Sequence, residues 1–192
     1  GPNNTWWDRY KPYADYCRRI SWLNAVGEHL CDIAILSTAT QLPWRAARVF
    51  FEHQRDFNYL DTDTLKTQTR VDDDGFHIGA MHYKVLVLDG ADTVDPGVLE
   101  ILAPCMNKGR VVAYGEAIQG VSSLAANSKE LLEAIAAIAP PDVILDPSHK
   151  NIRYRHVRIN AVDAYYFTNE GDTPVESSLT VGASGAAVWW DP

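Results

Sequence analysis

Tyr83-Lys84-Val85-Leu86-Val87-Leu88-Asp89-Gly90 sets the fold class. A continuous apolar run closed by Asp-Gly is the pattern of a strand buried on both faces, as in a parallel sheet covered by helices. A similar run, Cys31-Asp32-Ile33-Ala34-Ile35-Leu36, stands upstream, and Arg110-Val111-Val112-Ala113-Tyr114, closed by Gly115, stands downstream. Shorter strands are expected at 57–60 and 142–145, and a small extra one at 76–78. Helical segments separate them. Tyr13, Tyr16, Ile20 and Leu23 recur at three- and four-residue spacing and predict a helix over 10–27, with Gly27 as its stop. Pro43 opens a helix to about Gln54, Asp95-Pro96 opens one that stops near Gly109, and Asn127 or Ser128 caps one through Ala139. Pro140-Pro141 ends the last of these. This alternation predicts an α/β fold: a flavodoxin-like, doubly wound, mostly parallel sheet of about five strands.

After about residue 150 helical periodicity disappears. Strands are expected at 152–159, 164–168, 175–181 and 186–190, with a turn at Asn169-Glu170-Gly171. The organisation read from the chain is therefore 1–149 as the flavodoxin-like domain and 150–192 as a short antiparallel β segment, joined near Pro147-Ser148-His149-Lys150-Asn151.

Composition narrows the function classes. The 192 residues are 46% apolar and 22% charged, enough for a packed core. Acids outnumber bases 25 to 17, a net charge of −8 that argues against nucleic acid as a partner. The two locally basic stretches, 11–19 and 153–158, read as solvated faces of a helix and a strand. No apolar run reaches the roughly 18 residues of a membrane span, and no signal peptide is visible. Cys17, Cys31 and Cys105 are widely spaced with no CxxC pair, so buried free thiols are expected. Gly1-Pro2 reads as the remnant of a cleaved tag and both ends as fragment boundaries; the compartment stays open.

Catalytic signatures are missing. There is neither GxGxxG after the first strand nor a P-loop, and no cofactor is expected. The loop Ser37-Thr38-Ala39-Thr40 lacks the glycines of a phosphate cradle. Tyr114-Gly115-Glu116-Ala117-Ile118-Gln119-Gly120, the stretch closest to a nucleophile elbow, has no cysteine. His77 and His82 read as strand-edge or loop residues, not metal ligands. Doubly wound sheets bind ligands beyond the carboxyl ends of their strands. Acids fall at three such ends: Asp61, Asp89 (with Asp92 close by) and Glu116. They are candidate ligands for a cation or for sugar hydroxyls, but also ordinary helix N-caps.

Several stretches in order carry a family resemblance. Asn4-Thr5-Trp6-Trp7, Tyr10, Asp15-Tyr16, Arg19-Ile20-Ser21-Trp22-Leu23 and Asp32-Ile33-Ala34-Ile35-Leu36 resemble the region after the catalytic barrel in large α-L-rhamnosidase-type glycoside hydrolases. Asp56-Phe57-Asn58-Tyr59-Leu60-Asp61, 83–88, Lys108-Gly109-Arg110-Val111-Val112, Tyr166-Phe167-Thr168-Asn169-Glu170-Gly171 and Trp190-Asp191-Pro192 continue it. The resemblance implies a class I amidotransferase-like accessory domain without its nucleophile, followed by the opening of a β-sandwich. It also implies catalytic carboxylates in a barrel this chain lacks, so no catalytic residue is carried over and the chain alone is expected to be inactive. The partners expected are the barrel and sandwich modules, with carbohydrate as a candidate ligand. The alternative is a stand-alone module for a sugar or small ligand. Trp6 and Trp7 are the other candidate ligand residues, since aromatic faces stack on sugars; anchoring against a barrel is the competing role. With Trp189 and Trp190 they lead us to expect contacts with another module or copy, and weak self-association.

Overall fold

The computed structural model describes residues 4–38, 40, 42–90 and 94–190. After a 3-10 turn at Trp7–Arg9, the chain runs through α1 (Tyr10–Val26), β1 (Glu28–His29), β2 (Ile33–Ser37), α2 (Arg45–Glu52), β3 (Asn58–Asp61) and α3 (Thr62–Gln68). There follow β4 (Thr69–Val71), β5 (Phe76–Ile78), β6 (Met81–Tyr83), β7 (Val85–Asp89), α4 (Pro96–Ile101), α5 (Ala103–Asn107), β8 (Val111–Tyr114), β9 (Ser123–Ala125) and α6 (Ser128–Ile138). The last described elements are β10 (Val143–Asp146), β11 (Ile152–Ile159), β12 (Val162–Asn169) and β13 (Ser178–Val181).

Five strands form one parallel sheet in the order β3-β2-β7-β8-β9. Counted along the chain this is 2-1-3-4-5, the flavodoxin-like order, with the reversal between β2 and β7. Alternation along the strands splits the core in two. Ile33, Ile35, Val85, Val87 and Val112 pack against α2 and α6 through Ala46, Phe50, Leu131 and Ile135. Ala34, Leu36, Leu86, Leu88, Val111 and Ala113 face the other way, onto Leu65 of α3, Val98 of α4, and Leu102 and Cys105. Every residue of β2 and β7 is buried, which is why both read as unbroken apolar runs.

The fifth parallel strand is β9, not the segment at 142–145. Ser123-Leu124-Ala125 is too short and too polar in its flanks to show a period, yet it completes the edge beside β8. β10 lies outside this sheet and pairs antiparallel with β13. The predicted helix from Asp95 breaks at Leu102 into α4 and α5. Pro104 has no N–H to return to the carbonyl of Glu100, so the ladder cannot continue. Tyr83 belongs to β6, and the strand proper starts at Val85, where the backbone N–H groups of Lys84 and Val85 both reach the carbonyl of Asp32. The stretch 186–190 carries no strand.

Gly27 does end α1, but through an extended conformation rather than a left-handed one. A Cβ there would lie 2.7 Å from the Leu23 carbonyl and 2.9 Å from Cβ of Val157, so glycine is required by the close passage of β11. β11 pairs with β1 on one side and β12 on the other. Gln54, held at φ 48°, donates its side-chain amide to the carbonyls of His149 at 2.8 Å and Ile152 at 3.0 Å, tying the loop before β11 to the end of α2. No helix among the described residues is long and apolar enough to cross a membrane.

Candidate functional site

The carboxyl edge of the parallel sheet is where this fold usually holds a ligand. Here its central position, at the strand-order reversal, is filled from within. The Asp89 side chain is 1% exposed. Its Oδ1 accepts from Nε of Arg45 at 2.8 Å and its Oδ2 from the backbone N–H of Ala46 at 2.9 Å. Helix α2 has no side-chain cap from its own Trp44, so the neighbouring strand supplies the anionic cap. The Arg45 guanidinium then lies along the strand ends, with Oε1 of Glu116 3.9 Å from Nη2 and the Tyr114 ring centroid 6.0 Å away. Gly115, at φ 85°, allows this: a Cβ would sit 3.1 Å from Nη1.

Asp61 caps α3. Its Oδ1 accepts from the Thr64 N–H at 2.9 Å and its Oδ2 from the Thr64 hydroxyl at 2.6 Å. These bonds, the hydroxyl's foremost, hold the carboxyl below the usual range. The structure thus brings Asp89 and Glu116 together around Arg45 and uses Asp61 separately as a cap. Asp92 lies outside the described residues. Trp6 and Trp7 make their ring contacts with Tyr10: Trp7 stacks on it at 5.3 Å and 2°, and Trp6 tilts against it at 5.8 Å. All three rings are exposed. Helix α1 buries only Leu23 and exposes Tyr10, Tyr13, Tyr16, Trp22 and Val26. Trp189 and Trp190 are exposed as well.

A cleft of about 380 Å³ opens at the opposite, amino end of the sheet. β11 presents Tyr154, His156 and Arg158 to it, a period-2 set on one strand face. Asp32, Asp56, Arg55 and Asp142 line it from the starts of β2, β3 and β10. His156 is held on both ring nitrogens, Nδ1 at 2.9 Å from Asp142 and Nε2 at 3.0 Å from Asp163, and its ring stacks on Tyr165 at 4.0 Å. Burial works against its charge, yet the two carboxylates prevail and raise its pKa. Tyr165 donates to the other oxygen of Asp142 at 2.9 Å. Burial first, then Asp142 and Asp56, keep the Tyr154 phenol far above its ordinary value, so it stays protonated. Arg55 donates Nη2 to the carbonyl of Ala139, the residue that caps the end of α6, while its buried Nη1 has no protein partner. His29, on β1, meets Asp56 at 2.6 Å through Nε2 and receives the Asn58 amide at Nδ1, which places its proton on Nε2.

The cleft has the size of a small-molecule site and lines it with groups that pair with hydroxyls. It holds no activated nucleophile. Burial pushes the Cys31 thiol well above its usual range and that of Cys105 up as well, and the three cysteines are free. Sequence reading placed its candidates at the other end. The usable signal was the polar alternation Tyr154-x-His156-x-Arg158; nothing local marked Arg55 or Asp142, which join it only through the fold.

A family model described as alpha-L-rhamnosidase matches residues 2–139. No curated protein sequence matches the chain. Among solved structures, a rhamnosidase from Novosphingobium sp. PP1Y is similar, with a TM-score of 0.60 and 17% identity over 86% of this chain and 19% of that one. At that identity the likeness shows the fold, and this chain spans about a fifth of the other's length. The family match covers well over half the residues, and the chain belongs to the alpha-L-rhamnosidase family of glycoside hydrolases.

Proposed function

We propose that this region is a non-catalytic, amidotransferase-like accessory domain of a rhamnosidase, supporting a catalytic barrel that lies elsewhere in the enzyme. The observation that carries this reading is the closed ligand edge: Asp89 and Asp61 are committed to capping α2 and α3, and Arg45 occupies the reversal point. An acid pair for glycoside hydrolysis needs two carboxyl groups free to meet a sugar across roughly 5–9.5 Å; acids locked as caps do not serve. The buried thiols likewise suit a domain without amidotransferase chemistry. The aromatic face of α1 and the Trp6–Trp7–Tyr10 ladder supply surface of the kind that docks a neighbouring module. We divide the chain near 147–151, with the later strands as the start of a β-rich module. The test is hydrolysis of an aryl α-L-rhamnoside by the purified 192-residue chain. The expected rate equals that of buffer; a rate that follows the folded protein would overturn the reading.

A second reading, a sugar- or small-ligand-binding module, is favoured by one feature, the amino-edge cleft with the unpartnered Nη1 of Arg55. Calorimetry against a monosaccharide panel tests it: heat that disappears in Arg55→Met supports it, and silence across the panel removes it.

A further inference from the structure

The antiparallel sheet β4-β5-β6 is separate from the parallel one, and Met81 and His82 of β6 reach the lining of the amino-end cleft. Its register sets His77 directly opposite His82. Cross-strand partners project to the same face, and the two imidazoles stack with centroids 4.4 Å apart and planes 15° from parallel. The β4–β5 turn brings Asp72 to the same place. Its Oδ1 is fixed by the backbone N–H groups of Asp74 at 2.9 Å and Gly75 at 3.1 Å, which leaves Oδ2 facing the rings, 2.5 Å from Nε2 of His77. The metal-capable atoms of Asp72, His77 and His82 all lie within 4.8 Å of one another. Nε2 of His82 is buried and has no hydrogen-bond partner in the protein. Gly75, at φ 153°, permits this approach: a Cβ would lie 2.1 Å from the Tyr83 carbonyl and 3.2 Å from that same nitrogen.

We propose that Asp72, His77 and His82 form a binding site for a divalent transition-metal ion of the zinc class. Two imidazole nitrogens and one carboxylate oxygen are the donors that such ions prefer, whereas calcium and magnesium take oxygen-rich sets. The donors come from a hairpin and its preceding turn, so one small sheet holds all three. The hydrogen bonds to Oδ1 orient the carboxylate from behind, the outer-shell support that metal sites use. In the bound form both rings are neutral with their proton on Nδ1, so the hydrogen that His77 Nε2 shares with Asp72 is exchanged through solvent to Nδ1 and both Nε2 lone pairs turn to the metal. Three protein ligands leave a tetrahedral ion one further position, for water. Arg70, whose Nη1 is 3.8 Å from Oδ2 of Asp72, and Lys108, which pairs with Asp73 at 2.6 Å, keep the surroundings from being purely acidic. The site stands independently of the accessory-domain reading, because a scaffold and a binding module could each contain it.

The test is calorimetric titration of the EDTA-treated chain with zinc chloride at neutral pH, paired with thermal melts. One ion binds per chain and raises Tm. Loss of an outer-shell partner costs a metal site about 10–100-fold, so replacing a ligand costs at least the upper end of that range in affinity. His82→Gln and His77→Gln each show that loss, while His53→Gln, at the end of α2 and outside the cleft, leaves affinity unchanged. Cobalt gives the visible absorption of a tetrahedral ion in the wild-type chain and not in His82→Gln. The glutamine variants keep hydrogen-bonding capacity, and their circular dichroism must match wild type. Absence of heat and of any Tm change with excess zinc overturns the proposal. So does zinc binding that survives both substitutions or is lost with His53→Gln, or equal affinity for calcium.

Discussion

Both ends of the parallel sheet carry charged groups and use them differently. At the carboxyl end, Asp89, Asp61 and Arg45 bond to backbone amides or to each other, and the charges serve to start helices and hold them. At the amino end, His156, Asp142, Arg55 and Tyr154 surround a cleft, one buried guanidinium nitrogen has no protein partner, and His156 carries a raised pKa. Fold analogy alone points to the carboxyl end for function. In this chain the carboxylates at that end are engaged from within, Asp89 by Arg45 and the Ala46 N–H and Asp61 by the Thr64 N–H and hydroxyl.

The largest effect that sharpens this contrast is at Arg45. Arg45→Ala leaves the Asp89 carboxylate buried with one remaining amide donor, and we expect a loss of about 3 kcal/mol in urea unfolding. Asp89→Asn keeps an acceptor for the helix and leaves a half-exposed arginine behind, so its cost is smaller, about 1–2 kcal/mol. If the order is reversed, the carboxylate is not the stranded partner and the closed-edge picture is wrong.

At the amino end, Tyr165→Phe removes the bond to Asp142 and the acceptor for the Ala183 N–H, at about 1 kcal/mol by the same measurement. His156 adds a pH dependence. Its folded pKa is raised, so its stabilisation is complete below an unfolded value of about 6.5 and is lost as pH rises through the folded value. The stability difference between wild type and His156→Gln should therefore shrink as pH rises above that point; a difference that grows would place the two carboxylates elsewhere. The smallest effect belongs to Trp6→Ser with Trp7→Ser. Both rings are exposed, so stability changes by about 0.5 kcal/mol or less, while sedimentation at high concentration should show weaker self-association.

Much of the fold was legible. Buried parallel strands leave unbroken apolar runs, and 33–37 and 85–89 did so; helix α6 carried its cap at Asn127 and its stop at Pro140-Pro141. β9 was not legible, because three residues cannot display a period and its place is set by pairing with β8. The site was less so. Asp61 and Asp89 could be placed at strand ends, and capping was one of two roles weighed, but only the structure shows that Asp89 caps the helix of another unit, α2, from the adjacent strand. His77 and His82 read as strand-edge or loop residues because their spacing matches no metal motif; hairpin register, not sequence distance, makes the two adjacent.

The closed carboxyl edge is tested most directly by a double-mutant cycle on Arg45 and Asp89, with unfolding free energies for wild type, Arg45→Ala, Asp89→Asn and the double variant. Residues that share one buried bond couple by about 0.5–3 kcal/mol, and we predict a coupling in the upper half of that range, the double variant being less destabilised than the two single losses added together. Strict additivity, within about 0.3–0.5 kcal/mol, would mean that the pair does not lock the strand-order reversal and that this edge is open to a ligand after all.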